Sequence, residues 1–327
     1  MKILFIGPTR IGDAVLSSGL VQHLSETHPQ ARLTIACGAV AAPLYAGVPN
    51  LDRVITIVKR PASAHWLTVW REVVGVRWDI IVDIRRSIIP WTVWANRRLI
   101  SRPAADASEH RVISLARTLG LADCPPSPCL WVLDQHRTRA EQLIPDGGSV
   151  LAVAPTANWR GKIWRGERFV ELIERLTGVD QGNDAILPNA RIAILGGPGE
   201  MSAAATVFDA VPADRRINLV GTEDLPTAAA CLKRCALFVG NDSGLMHMAA
   251  AADIPTIGLF GPSRPENYRP WGDLAVAVRT EKAYEDLVGG AGYDHRNADT
   301  MMDSLSVDTV ATAAIDLWRQ SEAIAAQ

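Results

Sequence analysis

The chain has 327 residues, 48% hydrophobic and 21% charged, with a net charge of −2. That balance belongs to an ordinary globular protein of about two domains at roughly 150 residues each, and it argues against a disordered chain or a dedicated nucleic-acid binder. No run of about 18 apolar residues is present to span a bilayer. Met1-Lys2 leads straight into Ile3-Leu4-Phe5-Ile6, a stretch too short for a signal peptide. The expectation is a cytoplasmic protein whose membrane contact, if it has any, is peripheral.

Short apolar runs alternate with helical stretches, the pattern of parallel α/β units. Lys2–Ile6 predicts a strand, followed by a helix over Asp13–Ser25 with Val15, Leu16, Leu20 and Leu24 on one side. Strands follow at Leu33–Ala36, Val54–Val58 and Ile80–Asp83, with helices near His65–Gly75 and Arg111–Leu119. From Trp131 to Ser149 the chain turns polar and ends in Pro145-Asp146-Gly147-Gly148, which reads as a linker. A second series begins at strand Val150–Ala154. It continues through helix Phe169–Leu176, strand Arg191–Leu195, helix Met201–Ala210, strand Ile217–Leu219, helix Thr227–Arg234, strand Leu237–Val239, helix Leu245–Ala252 and strand Thr256–Leu259. Residues 180–189 read as an exposed loop, and Val307 to about Ala325 as a closing helix. The expected boundary divides 1–145 from 146–327, each half Rossmann-like, with a ligand in the cleft at the carboxyl ends of the strands.

The charge is uneven. Residues 1–150 carry 17 Lys and Arg against 12 Asp and Glu, a balance of +5, and the remainder is at −7. A basic first half suits an anionic partner, such as a phosphorylated lipid or a membrane surface, although ordinary scatter would look the same. Five of the ten tryptophans, Trp66, Trp70, Trp78, Trp91 and Trp94, fall within 29 residues and interleave with Arg71, Arg77, Arg85, Arg86, Arg97 and Arg98. Such a mixture suits a membrane interface; its plain alternative is core tryptophans beside solvated arginines. The five cysteines form no Cys-x-x-Cys pair and have no histidine pair at metal spacing, so reduced thiols and no metal site are expected.

Several strand-end turns hold residues suited to chemistry. The first is Gly7-Pro8-Thr9-Arg10-Ile11-Gly12-Asp13, neither a Gly-x-Gly-x-x-Gly fingerprint nor a Walker A loop. Asp13 is placed to act as a general base on a hydroxyl, although position alone favours the plainer role of satisfying free amides at the helix start. After Val150–Ala154 comes Thr156-Ala157-Asn158-Trp159-Arg160-Gly161-Lys162, where Lys162 or Arg160 could neutralise a leaving diphosphate, or simply form a solvated basic loop. Gly196-Gly197-Pro198-Gly199-Glu200 places an acid where ribose hydroxyls are often held, though Gly-Pro-Gly also just makes turns. Gly240-Asn241-Asp242-Ser243-Gly244-Leu245-Met246-His247 runs from a strand into a helix start suited to phosphate, with His247 one turn on. A further turn, Gly258 to Pro265 with Arg264 and then Glu266, would wall the cleft.

The Gly12-Asp13 turn, Lys162-x-Trp164 running to Glu167-x-Phe169, Gly196-Gly197-x-x-Glu200, and Asp242-Ser243-Gly244-x-x-His247 followed by Leu259-Phe260-Gly261-Pro262 occur in that order. Together they resemble glycosyltransferase family 9, the lipopolysaccharide heptosyltransferases, from Met1 to about Gly272. The resemblance implies an α/β fold of GT-B architecture: two facing Rossmann-like domains with parallel sheets, the acceptor in 1–145, the nucleotide sugar in 146–327, and the last helix crossing back to the first domain. It implies an inverting, metal-independent enzyme without a cofactor that uses a nucleotide-diphosphate sugar, typically ADP-heptose, and a lipid-linked glycan acceptor. Asp13 matches the family's catalytic carboxylate and Lys162 its phosphate lysine. Glu200, Asp242, Ser243, Gly244 and His247 match the donor site, to which Thr9, Gly12 and Arg160 are added; Arg60, Arg85 and Arg86 are acceptor candidates. The chain departs from the family in having Arg165 where proline is frequent and Pro8-Thr9-Arg10 where small hydroxyl residues are common. Another nucleotide sugar, a different surface glycan, or a non-catalytic sugar-nucleotide module are the alternatives. An NAD-dependent reading lacks both its glycine fingerprint and a Tyr-x-x-x-Lys.

Overall fold

A computed structural model describes residues 1–104, 106–178, 185–289 and 299–326. They form two compact units, Met1–Leu133 and Asp134–Gln327.

The first unit contains β1 (Lys2–Ile6), α1 (Ile11–Thr27), β2 (Arg32–Gly38), β3 (Leu51–Ile57), α2 (His65–Val73), β4 (Trp78–Asp83), α3 (Ile89–Thr92), β5 (Ala95–Ile100) and α4 (Arg111–Ala116). Its sheet has the order β3-β2-β1-β4-β5, with every pair parallel. The inner strands are near-continuous apolar runs, as strands covered on both faces must be. Helix α1 buries Ala14 through Val21. Within it, Ser17 and Ser18 return their hydroxyls to the carbonyls of Ala14 and Val15 at 3.1 and 2.6 Å, so burial leaves neither unsatisfied. A Cβ on Gly19 would lie 2.4 Å from the Pro126 carbonyl, so only glycine lets that crossing chain reach the helix. Two bonds fix the crossing: the Cys129 amide to Ser18 Oγ at 2.7 Å and Trp131 Nε1 to Gln22 at 2.8 Å.

Strand β5 was absent from the sequence reading. It is an edge strand whose Asn96, Arg97 and Arg98 are exposed, so it carries no apolar run to announce it. The tryptophans divide between the two readings: Trp78 is buried in the core, Trp66 and Trp70 pack half-buried against it, and Trp91 and Trp94 are exposed.

The second unit contains α5 (Asp134–Leu143), β6 (Val150–Ala154), α6 (Gly166–Thr177), β7 (Arg191–Gly196), α7 (Met201–Ala210), β8 (Arg216–Val220), α8 (Leu225–Leu232), β9 (Leu237–Asn241), α9 (Gly244–Ala251), β10 (Thr256–Phe260), α10 (Pro265–Tyr268), β11 (Ala275–Arg279), α11 (Tyr284–Val288) and α12 (Val307–Ala325). Its parallel sheet has the order β11-β10-β9-β6-β7-β8. Most of the supposed linker is α5. Only His136 and Ala140 are buried along it, which explains its polar sequence, and it packs on α8 with Arg139 donating to Glu223 at 2.7 Å. Trp164, fully buried, meets Phe169 edge-on at 5.0 Å and donates to the Leu305 carbonyl at 2.9 Å. Helix α12 starts at a Ser306 cap and lays Val310, Ala311, Ala314 and Leu317 on α6, β10 and β11. Of the expected loop 180–189, residues 180–184 lie outside the described set. No helix among the described residues is long and apolar enough to cross a membrane.

Candidate functional site

In each sheet the strand order reverses once, and the turns at that point leave a crevice for ligand. In the first unit the reversal lies between β1 and β4, and the Asp13 turn leaves β1 at this place. The turn is held by three backbone bonds, Gly7 to the Ala36 carbonyl at 2.8 Å, Gly38 to the Pro8 carbonyl at 3.0 Å and Ile84 to the Ile6 carbonyl at 3.1 Å. A Cβ on Gly38 would sit 2.6 Å from Thr9 Cα, so glycine permits the close approach. Asp13 occupies the third position of α1 and is half-buried. Among the described residues nothing hydrogen-bonds its carboxylate, so the helix-capping alternative has no bond behind it.

A cavity of about 280 Å³ opens beside it, lined by Thr9, Arg10, Asp13, Lys59, Arg85 and Arg111 among others. Four cations thus surround one carboxylate. Arg85 donates to Thr9 Oγ1 at 3.1 Å and lies 5.8 Å over the Trp66 ring. The turn presenting Arg85 is organised by Asp83, which is fully buried at the end of β4. Asp83 accepts from the Arg85 amide, the Ser87 amide and the Ser87 hydroxyl, each at 2.7 Å. Burial raises its pKa, and those hydrogen bonds oppose the rise. Arg85 lines the cavity, whereas Arg60 and Arg86 are exposed and do not. Arg10, Lys59, Arg111 and Asp83 were missed by the sequence reading; Lys59 and Arg111 lie far from the Asp13 turn along the chain and strand order gathers them, whereas Arg10 sits in that turn and Asp83 two residues before Arg85.

In the second unit the reversal lies between β6 and β9. Lys162, in a tight turn after β6, donates to Asp242 Oδ2 at 2.5 Å; Asp242 is buried and Lys162 about one-fifth exposed. Asn241 fixes the two loops together by accepting from the Trp164 amide at 3.0 Å. Ser243 stands in the N-cap position of α9 with extended backbone, and its side chain caps nothing. Its hydroxyl is buried with no protein partner among the described residues. Gly244 opens the helix and His247 is buried one turn on. The amides at the start of α9, a spare hydroxyl and an ammonium group already paired with Asp242 lie together here, which makes this the candidate anion site. Glu200 stands beside it: one carboxylate oxygen accepts from Thr156 Oγ1 at 2.6 Å and from the Gly197 amide at 2.7 Å. Lys162, Asp242, Ser243, Gly244 and His247 are therefore brought together, with Glu200 tied in through Thr156.

Arg160 is paired instead with Asp299 at 3.0 Å. It belongs to a strap formed by residues 299–305. The Met301 amide bonds the Gly161 carbonyl at 3.0 Å, and Arg165 pairs with Asp303 at 2.6 Å. Arg165, the departure from the family pattern, thus anchors the loop that carries Lys162. Among the described residues no cluster of three or more His, Cys, Asp or Glu could hold a metal ion.

The chain matches the family model for glycosyltransferase family 9 (heptosyltransferase) over residues 66–290. It is 26% identical to lipopolysaccharide heptosyltransferase 2 of Salmonella typhimurium, covering 89% of this chain and 91% of that protein. Among solved structures, a family 9 glycosyl transferase from Veillonella parvula superposes with a TM-score of 0.80 at 18% identity, over 98% of this chain and 97% of that one. Escherichia coli ADP-heptose lipopolysaccharide heptosyltransferase II superposes with a TM-score of 0.71 at 22% identity, over 98% of this chain and all of that one. The expected fold class, α/β of the GT-B kind with two Rossmann-like parallel-sheet domains, is the fold found. With more than half its length inside the family match, the chain belongs to glycosyltransferase family 9 and is a transferase enzyme.

Proposed function

We propose that this protein is an inverting heptosyltransferase, moving heptose from ADP-heptose onto a lipopolysaccharide core or related lipid-linked glycan. The observation that carries the reading is an unbonded Asp13 carboxylate in a cationic cavity, in a chain whose other unit holds a lysine-bearing anion loop. The sugar and acceptor rest on the relatives, one being lipopolysaccharide heptosyltransferase 2 and another described with ADP-heptose.

In this reading the acceptor hydroxyl oxygen attacks the anomeric carbon as the bond from that carbon to the diphosphate oxygen breaks. The hydroxyl proton passes to Asp13, and the electron pair leaves with ADP. Attack opposite the diphosphate inverts the centre. Lys162, the free amides of α9 and the Ser243 hydroxyl take up the charge on the leaving group. Asp242 holds Lys162 in place, and Glu200 keeps one oxygen for a ribose hydroxyl. Arg10, Lys59, Arg85 and Arg111 hold an anionic acceptor beside Asp13. Such an enzyme works at the cytoplasmic side of a membrane without crossing it.

The test is a thermal-shift screen of ADP-, UDP-, GDP- and CDP-sugars, followed by transfer to heptose-deficient lipopolysaccharide. A ligand that binds only the folded state raises its midpoint. ADP-heptose alone should raise it and then be consumed; a shift and transfer with a different nucleotide sugar would overturn the donor assignment.

A further inference from the structure

We propose that the outer surface of the first unit formed by α2, α3 and the start of β5 docks on an anionic phospholipid bilayer, with Ile88, Trp91 and Trp94 entering the headgroup layer. These side chains are 62%, 70% and 61% exposed, and Leu67 on α2 is 51% exposed. Isolated surface apolar residues need no explanation, but these adjoin. Ile88 and Trp91 share one helical turn, closed by the Trp91 amide on the Ile88 carbonyl at 3.1 Å. Helix α2 meets this turn through Trp70 Nε1, which donates to the Thr92 carbonyl at 3.3 Å. Trp94 lies 5.1 Å beneath the Arg77 guanidinium. Large amphipathic rings beside arginines are the composition that settles at a lipid headgroup layer.

Charge selects the partner. Residues 58–98 hold eight Lys and Arg against Glu72, Asp79 and Asp83. All three acids are occupied: Glu72 by Arg53, Asp79 by the Lys2 amide and Asn96, and Asp83 within its own turn. Among the described residues Lys59, Arg60, Arg71, Arg86 and Arg97 have no ion-pair partner. An exposed cationic surface with aromatic residues at its centre fits an anionic lipid surface better than an apolar protein face. This flank of the sheet runs from Trp94 and Arg77 at the amino-terminal ends of the strands to the start of α2, where Arg85, which with Lys59 lines the acceptor cavity, stacks on Trp66. Docking along the flank would bring the α2 end of the bilayer contact beside the cavity that receives a lipid-linked acceptor. This extends the acceptor half of the proposed function.

The experiment is flotation of the full chain, with no donor or acceptor, on vesicles of phosphatidylcholine alone or of equal parts phosphatidylcholine and phosphatidylglycerol. The wild type should float with the anionic vesicles only and be released as salt rises. The exposed double variant Trp91→Ser with Trp94→Ser should lose flotation, and Arg71→Gln with Arg97→Gln should weaken it by about fivefold per cation. All variants should keep wild-type transfer to a delipidated acceptor, so failure here is distinct from failure of the transferase reading. Absence of flotation by the wild type, or flotation unchanged in the tryptophan variant, overturns the proposal. So does a change of oligomeric state in that variant without lipid, which would make the surface a protein interface.

Discussion

Asp13 is set apart by what it lacks. It stands in the first turn of a helix, where carboxylates usually bond free amides, yet no described group hydrogen-bonds it, and four cations line its cavity. Asp13→Ala should lower kcat by about a hundred- to ten-thousand-fold while leaving donor affinity nearly unchanged by calorimetry; a wild-type kcat would remove it from the chemistry. Lys162 is the converse case, already neutralised by a buried partner at 2.5 Å. Lys162→Ala should weaken ADP binding by about ten- to a hundredfold and also lower stability, because it leaves Asp242 buried without its counter-ion. Unchanged ADP affinity would exclude it from the site. Asp83 titrates with the opposite consequence to an exposed aspartate. Burial raises its folded pKa, so its contribution to stability is fully present below the unfolded value and is lost as pH rises through the folded one. Asp83→Asn should therefore gain on the wild type as pH rises from about 4 towards neutral; parallel urea-stability curves would contradict this.

At the scale of elements, the candidate sites depend on turns that fit only where the packing permits. Gly38→Ala would set a methyl carbon 2.6 Å from Thr9 Cα, and the clash is with backbone. It should cost about 1–3 kcal/mol of stability and displace the Asp13 turn, so kcat should fall while ADP affinity holds. A variant with native stability and rate would show the turn to be more adaptable. The strap at 299–305 serves the second unit in the same way. Arg165 is 46% exposed, so its pair with Asp303 is weak in stability, yet it steadies the Lys162 loop. Arg165→Ala should raise the donor KM by about twofold to fivefold and leave the melting temperature within a few degrees. Most elements with an apolar run were legible in the sequence whether inner or outer, including the edge strands β3 and β8. β1, β6 and β9 are buried on both faces and announce themselves as apolar runs. β5 carries no apolar run and α5 buries only two residues, so their signals were weak, whereas β11 was passed over although residues 274–278 are apolar.

For the molecule as a whole, the motif turns were legible because each follows a strand and carries its glycines, acids and cations in a short span. The cationic set around Asp13 was legible only at Arg85, because Arg10, Lys59, Arg85 and Arg111 come from four separate segments that the order β3-β2-β1-β4-β5 assembles. Strand order likewise joins Lys162 to Asp242, 80 residues apart. The excess of cations in the first 150 residues thus has two destinations, the Asp13 cavity and the tryptophan-bearing surface beside it. Both suit the lipid-linked acceptor proposed above. The measurement that tests this account most directly is transfer from ADP-heptose to heptose-deficient lipopolysaccharide, comparing wild type with Asp13→Ala and reading ADP release and the anomeric configuration of the product. The account predicts one ADP per heptose transferred, an inverted linkage, and loss of both signals in the variant. A retained linkage, or wild-type transfer by Asp13→Ala, would contradict it.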